Sequence, residues 1–138
     1  MLGIAIKDVN GGKMQVTAAI ILKGNRFLIA KRKNDGWEFP GGRVEGEESY
    51  EECLIREIKE ELDLEIKKLR LFTVVSGEIE LHVYLAKCEG EPLAKEHEEI
   101  RWIGIKDVDK YNFLTPDMKV VEELRRRWKE VILFSAYI

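Results

Sequence analysis

Residues 42–64 read GRVEGEESYEECLIREIKEELDL, a glycine turn followed by a helical pattern. Ser49, with Glu52 three residues on, has the form of a capping box, in which the serine side chain and the glutamate each satisfy an N–H of the first turn. That sets the helix start at Ser49. At about 100° per residue, Leu54, Ile55, Ile58 and Leu62 share one arc, expected as the buried face. Glu57, Glu60 and Glu61 share a neighbouring arc. Between Glu45 and Glu61 eight glutamates stand against only Arg56 and Lys59. Like charges three and four apart destabilise an isolated helix by about 0.2–0.5 kcal/mol per pair. Two readings of this arc stay open on spacing alone. It is a solvated acidic face partly neutralised by Arg56 and Lys59, or it is a seat for a hard divalent cation, which takes carboxylate, water and phosphate oxygens.

Upstream, Gln15 to Leu22 (QVTAAIIL) is β-branched and apolar on both faces, as in a strand buried inside a sheet. Lys23-Gly24-Asn25 turns the chain, and Arg26 to Ala30 reads as the returning antiparallel strand. It delivers Lys31-Arg32-Lys33 into a loop closed by Asp35-Gly36. The basic run reads as a solvated face or, lying just before the acidic motif, as a phosphate contact through Arg32. Trp37 to Pro40 is extended, because the proline keeps Phe39 out of the helical region. Gly41-Gly42 permits a tight turn and close backbone approach to a ligand. Residues 1–13 read either as a short hairpin, with the turn signal Asn10-Gly11, or as an extension before Met14.

Downstream, Leu69 to Val75 reads as a strand and Ser76-Gly77 as a turn. Ile79, Leu81, Val83 and Leu85 then alternate with Glu80, His82, Tyr84 and Ala86 as a half-buried antiparallel strand. A charged loop from Glu91-Pro92 carries Glu96, Glu98 and Glu99 before a strand over Ile100 to Ile105. Thr115-Pro116 reads as an N-cap with proline at the first helical position, opening a helix to about Lys129. The apolar tail VILFSAYI requires burial against the core or a partner chain. His82 reads as an ordinary strand residue, and Cys53 and Cys88 lack metal-site spacing.

At 138 residues the chain is expected to form one domain over 1–138. No apolar run approaches bilayer length, which argues against a membrane partner. The net charge of −3, from 23 basic and 26 acidic residues, offers no basic field for a nucleic-acid polymer. The start MLGIAIKDVNGG lacks a positively charged secretory n-region, and two cysteines are too few for a disulfide framework, so a cytoplasmic, reducing setting is expected.

The whole stretch resembles the Nudix box: Gly, five residues, Glu, seven residues, then Arg-Glu-U-X-Glu-Glu-X-Gly-U, with U a bulky aliphatic. Gly42, Glu48, Arg56, Glu57, Ile58, Glu60, Glu61 and Leu64 fall on the pattern, and Asp63 stands where the family usually has glycine. Asp tolerates left-handed geometry better than most residues, so a small stability cost and intact chemistry are expected. The resemblance implies an α/β fold, a Nudix-type α/β/α sandwich with a mixed central β-sheet. It implies hydrolysis of a nucleoside diphosphate linked to another group, with Mg²⁺ as cofactor and Mn²⁺ as a possible substitute. Carried over by position, Glu57, Glu60, Glu61 and the Gly41 carbonyl correspond to metal ligands. Glu57, Arg56 and Glu60 correspond to the catalytic group, with Arg56 orienting Glu57, and Gly42 and Glu48 shape the box. The general base is left open between Glu57 and a loop glutamate.

Beyond the box, Lys31-Arg32, Trp37 to Gly42, Glu89-Gly90-Glu91-Pro92, Lys95-Glu96 and Arg101-Trp102 resemble MutT-like nucleoside triphosphate pyrophosphohydrolases. That similarity implies a small-molecule nucleotide substrate, (d)NTP hydrolysed to NMP and pyrophosphate. It makes Glu96 an acid at the metal, against a reading as a solvated loop charge, and Arg32 and Phe39 substrate contacts, with core packing the competing reading for Phe39. Asp117 reads either as a base-recognising group or as a charge complementing the helix N-terminus. Gly77 lies near the place where some guanine-selective relatives carry arginine, which favours cytosine-type nucleotides. The alternatives are an ADP-ribose or dinucleoside polyphosphate hydrolase, or a non-catalytic sensor domain. Monomer and homodimer both remain open.

Overall fold

The computed structural model describes residues 12–33 and 36–137. Residues 1–11, where a hairpin or an extension is expected, lie outside the described residues. β1 (Met14–Lys23) is the centre of a mixed sheet. It runs antiparallel to β4 (Gly41–Arg43) and parallel to β6 (Ile79–Glu89), whose other edge pairs antiparallel with β5 (Glu65–Ser76). β2 (Arg26–Lys31) turns back from β1 but shares with it only the pairs Leu22↔Phe27 and Lys23↔Arg26. The two strands then part. β2 goes on to pair with β3 (Trp37–Glu38) along one edge and β7 (Glu99–Gly104) along the other.

The segment 37–43 crosses the gap where β1 and β2 separate. Trp37 and Glu38 pair with β2, the Ala19 N–H donates to the Pro40 carbonyl at 2.8 Å, and Gly41 to Arg43 pair with Val16 to Ala18. A Cβ on Gly41 would meet the Thr17 carbonyl and lie 2.7 Å from Ala18 Cα, so only glycine lets the backbones approach this closely. Arg32, Glu61 and Glu96, which are expected at the site, are thereby brought to one cleft.

Helices cover both faces. α1 (Tyr50–Leu62) packs Leu54, Ile58 and Leu62 against Ala19, Ile21, Leu28, Tyr84 and Ala86. On the other face α2 (Thr115–Arg126) and α3 (Trp128–Ala136) pack Val120, Leu124, Val131 and Phe134 against Ile20, Phe27, Val83 and Leu85. Successive residues of β1 and β6 thus enter opposite cores, as a period of two requires. Each fully buried Leu or Ile contributes about 1.5–3 kcal/mol of transfer free energy. The result is the expected α/β/α sandwich. No helix among the described residues is long and apolar enough to cross a membrane.

The structure corrects several local expectations. β6 is not half-buried: Leu81 to Ala86 are all buried, because α1 covers the face that an isolated hairpin would expose. Its partners are of both senses, parallel β1 and antiparallel β5. On α1, Ile55 is 47% exposed and Cys53 takes its place in the core, since the sheet lies further round the helix than the apolar arc suggested. Leu114, not Thr115, is the N-cap of α2, with no side-chain cap, and α2 ends at Arg126 rather than near Lys129. The apolar tail forms α3 and packs on its own core through Val131 and Phe134. It is pinned by Ser135, whose hydroxyl donates to the Gly24 carbonyl at 2.6 Å and whose carbonyl accepts from Lys87 Nζ at 2.7 Å.

The start of α1 agrees with the sequence: Ser49 Oγ accepts from the Glu52 N–H at 3.0 Å, and Glu52 accepts from the Ser49 N–H at 2.8 Å. At its C-terminus Asp63 adopts the left-handed conformation (φ 58°, ψ 35°) and donates its N–H to the Lys59 carbonyl. That is the geometry for which the usual glycine is suited.

Candidate active site

The parting of β1 and β2 opens a cleft of about 550 Å³ lined by Arg32, Lys33, Gly36, Glu38, Glu61, Glu96, His97 and Leu114. A second hollow of about 240 Å³ continues it along β1 and β4, past Thr17, Phe39, Gly41, Gly42 and Asp117. Arg32, Glu38 and Leu114 border both. From α1, Glu61 reaches this space, which the sheet itself creates.

Arg56 organises the helix side. Its Nε and Nη2 clasp Glu48 at 3.0 and 2.6 Å, its Nη1 donates to Glu57 Oε2 at 2.8 Å and Glu60 Oε1 at 3.2 Å, and Nη2 also reaches the Arg43 carbonyl. The bidentate pair holds the Glu48 carboxyl below the usual carboxylate range, the hydrogen bond from Arg56 being the main cause. The same bonds raise Arg56 above an ordinary arginine. Gly42 faces the Glu57 side chain: a Cβ there would lie within 2.6 Å of both carboxylate oxygens. A glycine at this position leaves the space that Glu57 occupies.

The three box carboxylates do not share one environment. Glu60 is 53% exposed and remains on Arg56, Glu57 is 15% exposed, and Glu61 is buried. Burial, and then the neighbouring Glu57, push the Glu61 carboxyl well above the ordinary range; Glu38 and Glu96 act in the same direction. Among the described residues, Glu61 Oε1 and His97 Nδ1 are the buried side-chain atoms left without a hydrogen-bond partner. No three His, Cys, Asp or Glu side chains among the described residues converge closely enough to hold a metal as they stand. Arg56 bonds one oxygen each of Glu57 and Glu60 and leaves the other oxygen of each carboxylate off the guanidinium.

Across the cleft, Glu38 is held by two cations or donors at once: Arg32 Nε at 3.0 Å from Oε1 and His97 Nε2 at 2.8 Å from Oε2. Phe39 is buried in the core, stacked on Phe113 with ring centroids 5.6 Å apart, and also borders the second hollow. Its N–H donates to Asp117 Oδ1 at 3.0 Å. Asp117 is 7% exposed, and burial pushes its carboxyl up to about 7. Glu96 is exposed at the mouth. His82 lies outside both hollows, where its Nε2 and the Tyr50 hydroxyl share Gln15 Oε1 at 2.8 and 3.0 Å.

Glu38 and His97 were not singled out from the sequence. Glu38 sits inside the extended WEFPGG segment, where the alternation of a two-residue strand turns it opposite to Trp37. His97 follows Glu96 in an irregular loop, and only the fold shows that its ring turns inward.

The family model described as NUDIX domain matches residues 13–124, and the chain belongs to that family. It is 31% identical over 120 residues to the 8-oxo-dGTP diphosphatase of Buchnera aphidicola subsp. Schizaphis graminum (strain Sg), covering 80% of this chain and 92% of that one. It is 32% identical over 120 residues to the CTP pyrophosphohydrolase of Escherichia coli (strain K12), covering 79% and 89%. A solved MutT structure, from work on the Aliivibrio salmonicida and Vibrio cholerae proteins, superposes with a TM-score of 0.73 at 29% identity, over 88% of this chain and 98% of that one. Within its family the chain is a MutT-like pyrophosphohydrolase, an enzyme of a class that generally uses divalent metal ions.

Proposed function

We propose that residues 1–138 act as one domain that hydrolyses a nucleoside triphosphate to the monophosphate and pyrophosphate with Mg²⁺. The observation that carries this reading is the environment of Glu61. A buried carboxylate oxygen without a partner among the described residues, beside Glu57 and opposite Arg32 and Lys33, is a place for positive charge and phosphate together. The oxygens of Glu57, Glu60, Glu61 and Glu96, with the Gly41 carbonyl, form a hard donor set that suits Mg²⁺, and Mn²⁺ as its substitute. When bound, the cation neutralises phosphate charge and lowers the pKa of an attacking water.

The chain's own residues do the positioning. Glu48 anchors Arg56, and Arg56 holds Glu57 beside Gly42 through one carboxylate oxygen, while the other oxygen would be offered to a cation. The proton of the water would pass to Glu57 or to the loop glutamate Glu96. Glu60 acts beside them, either on the ion or through the guanidinium that it shares. Arg32, pinned by Glu38, presents its remaining N–H groups to phosphate oxygens.

Asp117 and the edge of Phe39 border the hollow that receives the base. With its carboxyl near 7, Asp117 offers a donor and an acceptor at neutral pH, whereas an ordinary aspartate only accepts. Gly77 in place of an arginine favours cytosine-type over 8-oxo-guanine nucleotides. The related proteins named above act on both kinds, so the base is the finer question. A panel of canonical and oxidised triphosphates with Mg²⁺, products identified by mass spectrometry, tests the reading. Pyrophosphate and a monophosphate are expected, with cytosine nucleotides foremost; release of pyrophosphate from none of them overturns it. Hydrolysis of ADP-ribose or dinucleoside polyphosphates alone would favour the alternative, against which no proline lies between the box and Pro92.

A further inference from the structure

The cleft holds a side chain that the box pattern does not include. His97 lies across from α1, with 7% of its side chain exposed, and its two ring nitrogens have different surroundings. Nε2 is 2.8 Å from Glu38 Oε2, and the other oxygen of that carboxylate accepts from Arg32. A carboxylate bonded in this way accepts, so the imidazole proton belongs on Nε2, and this partner sets the tautomer. In the neutral ring with that tautomer, Nδ1 carries the lone pair. It is buried without a partner among the described residues, 3.9 Å from Glu61 Oε1, which is equally buried and equally unpartnered.

A carboxylate oxygen and an imidazole nitrogen facing each other across such a gap suit an electron-pair acceptor between them. Divalent ions bond to imidazole nitrogen and carboxylate oxygen at roughly 2.0–2.2 Å each, so one ion bridges a gap of this width with only small side-chain movement. A metal-bound histidine characteristically donates its other N–H to a carboxylate, which fixes the ring and strengthens the ligand. Glu38, His97 and Glu61 stand in that order.

We propose that His97 is a nitrogen ligand of the divalent cation, gripping it with Glu61 while Glu38 holds the imidazole from behind. This rests on the proposed function, in which the cation sits at Glu61, and deepens it by naming a ligand outside the box. A nitrogen donor among oxygens shifts the preference of the site. Imidazole suits the later transition ions better than it suits Mg²⁺, so Co²⁺ gains over Mg²⁺ relative to an all-oxygen cage.

The test uses the full chain freed of metal with a chelator and loaded with Mn²⁺ alone. Pulsed electron paramagnetic resonance is expected to show modulation from a directly bound ¹⁴N, lost in His97→Gln, which retains an N–H for Glu38 but whose amide nitrogen lone pair is delocalised and binds no metal. By calorimetry His97→Gln is expected to weaken Co²⁺ binding by about tenfold or more and Mg²⁺ binding by much less. Mn²⁺ bound to the wild-type protein without nitrogen modulation overturns the inference and assigns the gap to water, leaving the cation reading intact. No Mn²⁺ binding at all removes both. The wild-type spectrum decides the matter even where the variant fails to fold.

Discussion

On the helix side of the cleft, Glu48, Arg56, Glu57 and Glu60 come from thirteen consecutive positions and converge on a single guanidinium. On the facing side, Arg32, Glu38, His97 and Asp117 come from separated segments and meet only because β1 and β2 part. The first group sets three carboxylates, one of them largely in solvent, around one guanidinium. In the second, Arg32 lies open to solvent, but the acids with Glu61 beside them are enclosed and burial dominates: Glu61 and Asp117 are both pushed above the carboxylate range. A local motif can set out charges at helical spacing, but only burial changes what those charges do.

Substitutions on the two sides should therefore fail differently. The largest effect is expected for Glu57→Gln, which keeps size and a hydrogen-bonding group but removes the charge. Turnover should fall by about 10²- to 10⁴-fold, with a melting temperature close to wild type; near-normal turnover in a steady-state assay would show that the charge at Glu57 is dispensable. Gly42→Ala comes next. The new methyl takes the space of the Glu57 carboxylate, and displacing that group by about an ångström should lower kcat by about 10- to 100-fold. A crystal structure of the variant with Glu57 unmoved would contradict the steric account.

Asp117→Asn probes the buried side through pH. The folded-state pKa is raised from 3.8 to about 7, so the neutral carboxyl favours the fold. That contribution is full below 3.8 and is lost as pH rises through about 7. The stability of the asparagine variant relative to wild type should accordingly increase from pH 5 to pH 8 in urea unfolding. A difference that does not change with pH would mean that the carboxyl is not buried in solution. The smallest effect is expected for Asp63→Gly, which relieves the left-handed cap but loses the 3.0 Å pair with Lys59. It should raise the melting temperature by no more than a few degrees and leave turnover unchanged; a fall in melting temperature would mean that the ion pair outweighs the backbone strain.

Much of this protein is readable without coordinates where the relevant contacts are local. The capping box at Ser49, the turn at Gly24, the doubly buried β1 and the spacing of Glu57, Glu60 and Glu61 all follow from interactions within a few residues. Sequence and structure differ where a distant element intervenes. α1 covers the outer face of β6 and makes a strand that alternates in sequence buried on both sides. The direction of the sheet exchanges Ile55 for Cys53 in the core. The tail pattern required burial without naming a partner, and the fold supplies its own core.

For the site, the sequence by itself determined the acidic helix, its arginine and the glycines before it, because those positions are tied by helical period and by turn geometry. Only the tertiary structure decided that Glu60 stays in solvent while Glu61 is enclosed, and that Glu38 turns His97 toward Glu61. The physical reason is that burial and hydrogen-bond partners belong to the packed chain. Spacing along a helix sets the direction of a side chain, and the elements packed against it set its solvent, its partners and its proton.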